Sequence, residues 1–207
     1  MRVGKFSISP AHYNDIPDDL LQGQKNILEF GCAIGLNQII SRHREFFINN
    51  NREGHYLGVD LEPYQEKYLN IIVGDIRDFK TEKKYDVVIA LHVLEHIELS
   101  YWNETIQRLK SFVAQNGVLL IGTPNEEPAD NDEYHCVFNI TVDMLKHYIT
   151  GADVLKIKKP FAFAEDGASF SWALVRYIKR RITHHPIVRP YHRLLAIWKN
   201  EGSVPCR

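Results

Sequence analysis

Short apolar runs alternate with stretches of helical periodicity along most of this chain. Asn26–Phe30 (NILEF) is the first run and ends at Gly31. From Leu36 to about Asn50, Ile39, Ile40, Phe46 and Phe47 recur on one helical face. His55–Val59 predicts a second strand and Asn70–Val73 a short third. Tyr85–Ala90 (YDVVIA) is almost wholly apolar, as a strand buried on both faces should be. Ser100 is a candidate N-cap for a helix in which Trp102, Ile106, Leu109 and Val113 recur, with Asn116-Gly117 as its break. Val118–Gly122 predicts a fifth strand. Thr141 can cap a helix carrying Met144, Leu145 and Tyr148 and closed by Gly151.

Val154–Phe161 and Ser171–Ile178 read as two more strands, joined as an antiparallel hairpin through Glu165-Asp166-Gly167. A short helix is expected over Tyr191–Lys199, after Pro190, with Leu194, Leu195 and Trp198 on one side. Strands alternating with helices predict a mostly parallel sheet covered on both faces. No internal repeat or low-complexity linker divides the 207 residues, so one domain is expected, with a core over about 25–178 and an extension over about 179–207.

Charge is uneven. From Trp172 onward there are eight Lys/Arg against the single acid Glu201, a local charge of +7 in a chain whose net charge is −1. A basic end on an acidic body fits a polyanionic partner or a membrane surface, and a solvated basic face fits it better still. Lys179-Arg180-Arg181 is the densest part of it. Cys32, Cys136 and Cys206 are odd in number and far apart, which argues against a disulfide framework and for a reducing compartment. With no signal-like leader and no run of about 18 apolar residues, a cytoplasmic protein is expected.

The chemistry collects where strands end. Glu29-Phe30-Gly31-Cys32-Ala33-Ile34-Gly35 is a glycine-bearing turn between the first strand and its helix, where backbone can approach a ligand. Asp60 ends the second strand, placed to accept ribose hydroxyls, and Asp75 follows the third, placed to meet an adenine amino group. In open α/β sheets this edge is where ligands bind, and the three features in order describe a nucleoside site.

The segments ILEFGCAIG (27–35), YLGVD (56–60), IIVGDIRDF (71–79), YDVVIALHVLEHI (85–97) and NGVLLIGTPN (116–125) resemble the class I S-adenosylmethionine-dependent methyltransferases. The resemblance implies an α/β Rossmann-like fold, a seven-stranded mostly parallel sheet with helices on both faces and an antiparallel last strand. It implies that Glu29, Gly31 and Gly35 hold the methionine end of the cofactor, with Cys32 and Ala33 of the same turn also cofactor-binding. Asp60 would bind ribose, Asp75 and Ile76 adenine, Leu91 would line the cofactor, and Leu61 is a further cofactor-binding residue. The family usually has glycine where Ala33 stands.

His92, Glu95 and His96 would share one face if their segment were helical, and imidazole with carboxylate suits a divalent metal. Asp132–Phe138, carrying His135, would hang over the same strand ends. This arrangement resembles ubiquinone-pathway O-methyltransferases and small-RNA 2′-O-methyltransferases, in which Glu-x-x-Glu-His and a later His gather a divalent cation. Here His92 replaces the first glutamate, which favours Mn²⁺, Fe²⁺ or Zn²⁺ over Mg²⁺. The resemblance therefore implies His92, Glu95, His96 and His135 as metal ligands, or Glu95, His96 and His135 as catalytic groups without one. Phe161, Phe163 and Phe170 are candidates to wall an acceptor pocket. The expected activity is O-methylation of a small molecule or sugar hydroxyl. RNA 2′-O-methylation and non-catalytic cofactor binding are the alternatives.

Overall fold

A computed structural model describes residues 11–32, 41–62, 70–125, 135–157 and 193–202. Ala33, Gly35, the helical stretch 36–40, the strand expected over 171–178, Phe161, Phe163, Phe170 and Lys179–Arg181 lie outside the described residues.

Seven strands form one sheet in the order β3-β2-β1-β4-β5-β7-β6. They are β1 (Ile27–Phe30), β2 (Tyr56–Asp60), β3 (Ile71–Val73), β4 (Tyr85–Leu91), β5 (Val113–Pro124), β6 (Asp153–Ile157) and β7 (Arg193–Lys199). The pairs β1–β2, β1–β4, β2–β3 and β4–β5 are parallel, and β7 runs antiparallel to both β5 and β6. Among the described strands only the last is therefore reversed, as expected, although it is not the strand the sequence pattern suggested.

Residues on alternate strand positions feed two cores. Leu28, Phe30, Val88, Ala90, Leu119, Ile121, Leu194 and Ala196 face one side, against Trp102, Ile106 and Leu109 of helix α3 (Trp102–Ser111) and Leu145 of helix α4 (Val142–Tyr148). Ile27, Val87, Ile89, Leu120, Leu195 and Ile197 face the other, against Tyr13 and Ile16 near helical turn α1 (Ala11–Asn14) and Phe47 of helix α2 (Arg44–Arg52). Each fully buried aliphatic side chain contributes about 1.5–3 kcal/mol. That makes β1, β4 and β5 the rigid centre on which the strand-end groups are mounted.

Three local expectations are corrected. Arg193–Lys199 is a strand, not a helix. Leu194-Leu195-Ala196-Ile197 is a continuous apolar run because both of its faces are covered, and the sheet thus continues past residue 178. Asn116-Gly117 does not break a helix: α3 ends at Ser111, and Val113 is already in β5, opposite Tyr85. Asn116, at φ 63, makes an irregularity within the strand, its N–H donating to the Asn200 carbonyl at 2.8 Å. Ser100 is not the cap of α3, because it lies inside a 3-10 turn, Leu99–Tyr101, that precedes the helix. Thr141 does cap α4, its hydroxyl accepting from Met144 N–H at 3.2 Å.

Candidate functional site

The parallel strands deliver Gly31, Asp60, Gly74-Asp75, His92 and Asn125 to one edge of the sheet. Antiparallel β7 begins at the same edge, with Arg193 opposite Pro124.

At the end of β1, Glu29 is fully buried. The Tyr13 hydroxyl donates to its Oε1 at 2.6 Å and the Tyr56 hydroxyl to its Oε2 at 2.9 Å. Burial, then the Glu29 charge, pushes both phenols up, so both stay protonated as donors. Gly31 turns the chain at φ 65, a left-handed conformation, and a Cβ there would stand 2.6 Å from Val93 Cγ2. Cys32 is buried, and burial raises its thiol well above the usual range, so it remains neutral.

Asp60 Oδ1 accepts from Glu62 N–H at 3.2 Å, which orders the turn after β2, while Leu61 is left 66% exposed beside it. Asp75 is held by Arg77, whose Nε lies 3.0 Å from both carboxylate oxygens. This hydrogen-bonded guanidinium holds the Asp75 carboxyl below its ordinary value. Ile76 packs into the first core, and Leu91 is 2% exposed at the end of β4.

After β4 the chain turns at His92, at φ 57, with its N–H donating to the Gly122 carbonyl at 2.8 Å. A 3-10 turn, Leu94–His96, follows, so the segment is not the continuous helix that would place His92, Glu95 and His96 on one face. The Trp102 indole of α3 donates to the Leu94 and Ile97 carbonyls at 3.0 Å each and fixes this turn. From the other side, Cys136 and Val137 N–H groups donate to the Glu95 carbonyl at 2.7 and 3.0 Å. These two bonds bring His135 over His96, ring centroids 4.7 Å apart.

One side-chain atom each from Glu95, His96 and His135 then lies within 4.8 Å of the others. His92 stands outside this triangle and meets it through Glu95, its Nδ1 2.9 Å from Oε1. That contact is not aligned as a hydrogen bond, and neither Glu95 oxygen receives one among the described residues although the side chain is fully buried. A carboxylate buried this deeply is costly unless a donor or a cation faces it, and the His92 ring nitrogen is the group that faces Oε1. A buried carboxylate and two imidazoles form a donor set that fits a divalent metal.

Beside this cluster, a small cleft of about 10 Å³ lies between β4, β5 and β7, lined among others by Asp15, Leu91, His92, Thr123 and Arg193. The sequence reading missed Tyr13, Asp15, Thr123 and Arg193. Arg193, one of the basic residues after Trp172, is 7% exposed, its Nε 2.7 Å from Asp15 Oδ2.

The model of the family described as Methyltransferase domain matches residues 11–173. The chain belongs to that family. Among curated relatives of this methyltransferase domain, the ubiquinone biosynthesis O-methyltransferase of Rickettsia bellii is 28% identical over 118 residues, covering 56% of this chain and 46% of that protein. Its counterpart from Rickettsia canadensis is 29% identical over the same length, covering 47% of that protein. The chain spans about half the length of the curated relatives it matches. Among solved structures, a SAM-dependent methyltransferase from Archaeoglobus fulgidus superposes with a TM-score of 0.60 at 19% identity, covering 88% of this chain and 89% of that one. A Burkholderia thailandensis N1-methyltransferase with bound 1,6-didemethyltoxoflavin and S-adenosylhomocysteine gives 0.56 at 13% identity, covering 85% and 71%. These likenesses establish the fold. Among the described residues no helix is long and apolar enough to cross a membrane.

Proposed function

We propose that this domain is an S-adenosylmethionine-dependent O-methyltransferase acting on a hydroxyl of a small molecule or sugar, with a divalent cation held by Glu95, His96 and His135. The observation that carries the reading is the buried Glu95 carboxylate, which meets His92 at 2.9 Å, receives no aligned hydrogen bond among the described residues and lies against the His96 and His135 imidazoles. The O-methyltransferase names of the curated relatives support the choice of oxygen as acceptor.

When bound, S-adenosylmethionine supplies an electrophilic methyl group on a sulfonium, and a divalent cation lowers the pKa of a coordinated hydroxyl. The chain does the rest. Asp60 accepts the ribose hydroxyls, and Asp75 receives the adenine amino group after Arg77 yields. Glu29, fixed by Tyr13 and Tyr56, places negative charge at the methionine end. As ligands, Glu95, His96 and His135 would hold the cation against the acceptor oxygen; without a cation, His96 or His135 would take its proton, and in either case alignment with the methyl group supplies much of the rate. His92 meets Glu95 in the second rank and sets its orientation.

The test is calorimetric titration of Mn²⁺, Mg²⁺ and Zn²⁺ into metal-stripped protein saturated with S-adenosylhomocysteine, beside His135→Ala. The expected result is stoichiometric binding lost in the variant, with S-adenosylhomocysteine affinity retained. Absence of metal binding would leave an imidazole base acting alone. Failure to bind S-adenosylhomocysteine would overturn the methyltransferase reading itself.

A further inference from the structure

The cleft between β4, β5 and β7 contains more polar chemistry than packing needs. Its floor is apolar, formed by Leu91, Leu194 and Leu195, and its polar side chains are Asp15, His92, Thr123 and Arg193. Thr123 is 1% exposed and its hydroxyl has no hydrogen-bond partner among the described residues. Arg193 meets Asp15 through Nε at 2.7 Å and Nη2 at 3.3 Å. Of the five N–H donors of the guanidinium, Nη2 alone makes a hydrogen bond to Asp15, Nε meeting it only as an ion pair, and no other protein acceptor of Arg193 is found among the described residues.

A buried ion pair is weak evidence for stability, since well-packed apolar side chains of similar volume usually serve as well or better. Arginine at the first position of a strand whose next five residues are apolar therefore asks for another reason. The groups converging here are a guanidinium fork and a lone hydroxyl, both able to donate. Their complement is a planar group with oxygen lone pairs and a negative charge, which is a carboxylate. The same cleft reaches His92, and through it Glu95, 2.9 Å away.

We propose that this cleft is an acceptor-anchoring subsite in which Arg193 and Thr123 bind a carboxylate of the methyl acceptor, with Asp15 holding the guanidinium until the acceptor replaces it. The proposal rests on the methyl-transfer reading of the neighbouring cluster and narrows its acceptor to a hydroxy acid. The carboxylate sits at β7, and the hydroxyl reaches towards Glu95, His96 and His135. The exchange keeps one ion pair throughout. Asp15 follows directly after α1, and its side chain is already 15% exposed, so it can turn to water when displaced.

The experiment uses the full chain saturated with S-adenosylhomocysteine and reads the arginine Nε–Hε signals by NMR. The Arg193 signal is assigned by its loss in Arg193→Lys. Benzoate, inorganic phosphate and benzyl alcohol are the probes. Benzoate should shift the Arg193 signal saturably, and benzyl alcohol should not. Asp15→Asn should tighten benzoate about tenfold, because it removes a competing charge-assisted bond worth about 1.4 kcal/mol. Thr123→Val, which leaves the ion pair intact, should weaken it severalfold.

A signal untouched by benzoate, or a benzoate affinity unchanged in both Asp15→Asn and Thr123→Val, overturns the subsite. Tighter binding of phosphate than of benzoate overturns the carboxylate assignment. Calorimetry with S-adenosylhomocysteine on the same samples keeps the two readings apart. Should the wild-type chain not bind it, the methyltransferase reading fails, and the benzoate titration still decides whether the cleft takes a carboxylate.

Discussion

The Tyr13 hydroxyl donates to Glu29 Oε1 at 2.6 Å, so a residue sixteen positions ahead of the first strand's carboxylate closes the base of the crevice. Tyr56 takes the other oxygen, and all three side chains are buried. The N-terminal segment is thus built into the site rather than leading up to it.

Tyr13→Phe removes one donor and leaves Glu29 Oε1 buried without it. The expected loss is about 1–3 kcal/mol of folding free energy, read as a lower denaturant midpoint at unchanged slope. Tyr56→Phe should cost a similar amount. The two losses should not add, since both phenols serve one carboxylate. Strict additivity in the double variant would show that the hydroxyls act independently of Glu29.

Gly31→Ala places a Cβ 2.6 Å from Val93 Cγ2 at a backbone φ of 65°. The left-handed conformation alone costs about 1–2 kcal/mol, and the overlap adds to it. At about 2–4 °C per kcal/mol for a domain of this size, the melting temperature should fall by several degrees. Val93→Ala combined with Gly31→Ala should recover part of that fall, because the blocking atom is the Val93 methyl. No recovery would place the cost in the backbone alone.

The parallel half of the sheet was legible because its strands are buried on both faces and end in glycine or aspartate. Gly31, Asp60 and Asp75 mark turns that would need such residues in any case. Arg193–Lys199 was misread because four consecutive apolar residues satisfy a helical face and a doubly covered strand alike. Its place between β5 and β6 is a matter of long-range pairing, which local periodicity does not carry. Glu95, His96 and His135 were picked out by residue type. Their convergence depends on the 3-10 turn and on the two bonds from Cys136 and Val137 N–H to the Glu95 carbonyl. Asp15 and Arg193 are 178 positions apart, and nothing in either segment announces the other.

Glu95→Gln keeps the volume of the side chain and removes its charge. In metal-stripped protein the variant should be more stable, by about 1–2 kcal/mol, since a buried carboxylate that receives no aligned hydrogen bond among the described residues is replaced by a neutral amide. Turnover and metal affinity should both fall, by about tenfold or more for loss of a charged ligand. Thermal melts with and without Mn²⁺ check this directly: Mn²⁺ should stabilise the wild type and not the variant. A variant less stable than the wild type in the absence of metal would show that Glu95 is satisfied within the protein.

His43, just ahead of α2, is 6% exposed, and its Nε2–H donates to the Ile16 carbonyl at 3.1 Å. Burial, reinforced by the Arg42 charge, lowers its pKa below the ordinary 6.5, while the Ile16 bond and the Asp18 carboxylate act in the opposite direction. Net lowering means that the unfolded chain binds the proton more readily than the folded one. Stability from this group is therefore present above about pH 6.5 and is lost as pH falls towards the folded pKa. One histidine changes stability by at most about 1.4 kcal/mol per pH unit in that window. His43→Gln should flatten the fall in melting temperature between about pH 6.5 and pH 5, whatever it does to stability at neutral pH. An unchanged slope would mean that the acid sensitivity in this range belongs to other histidines.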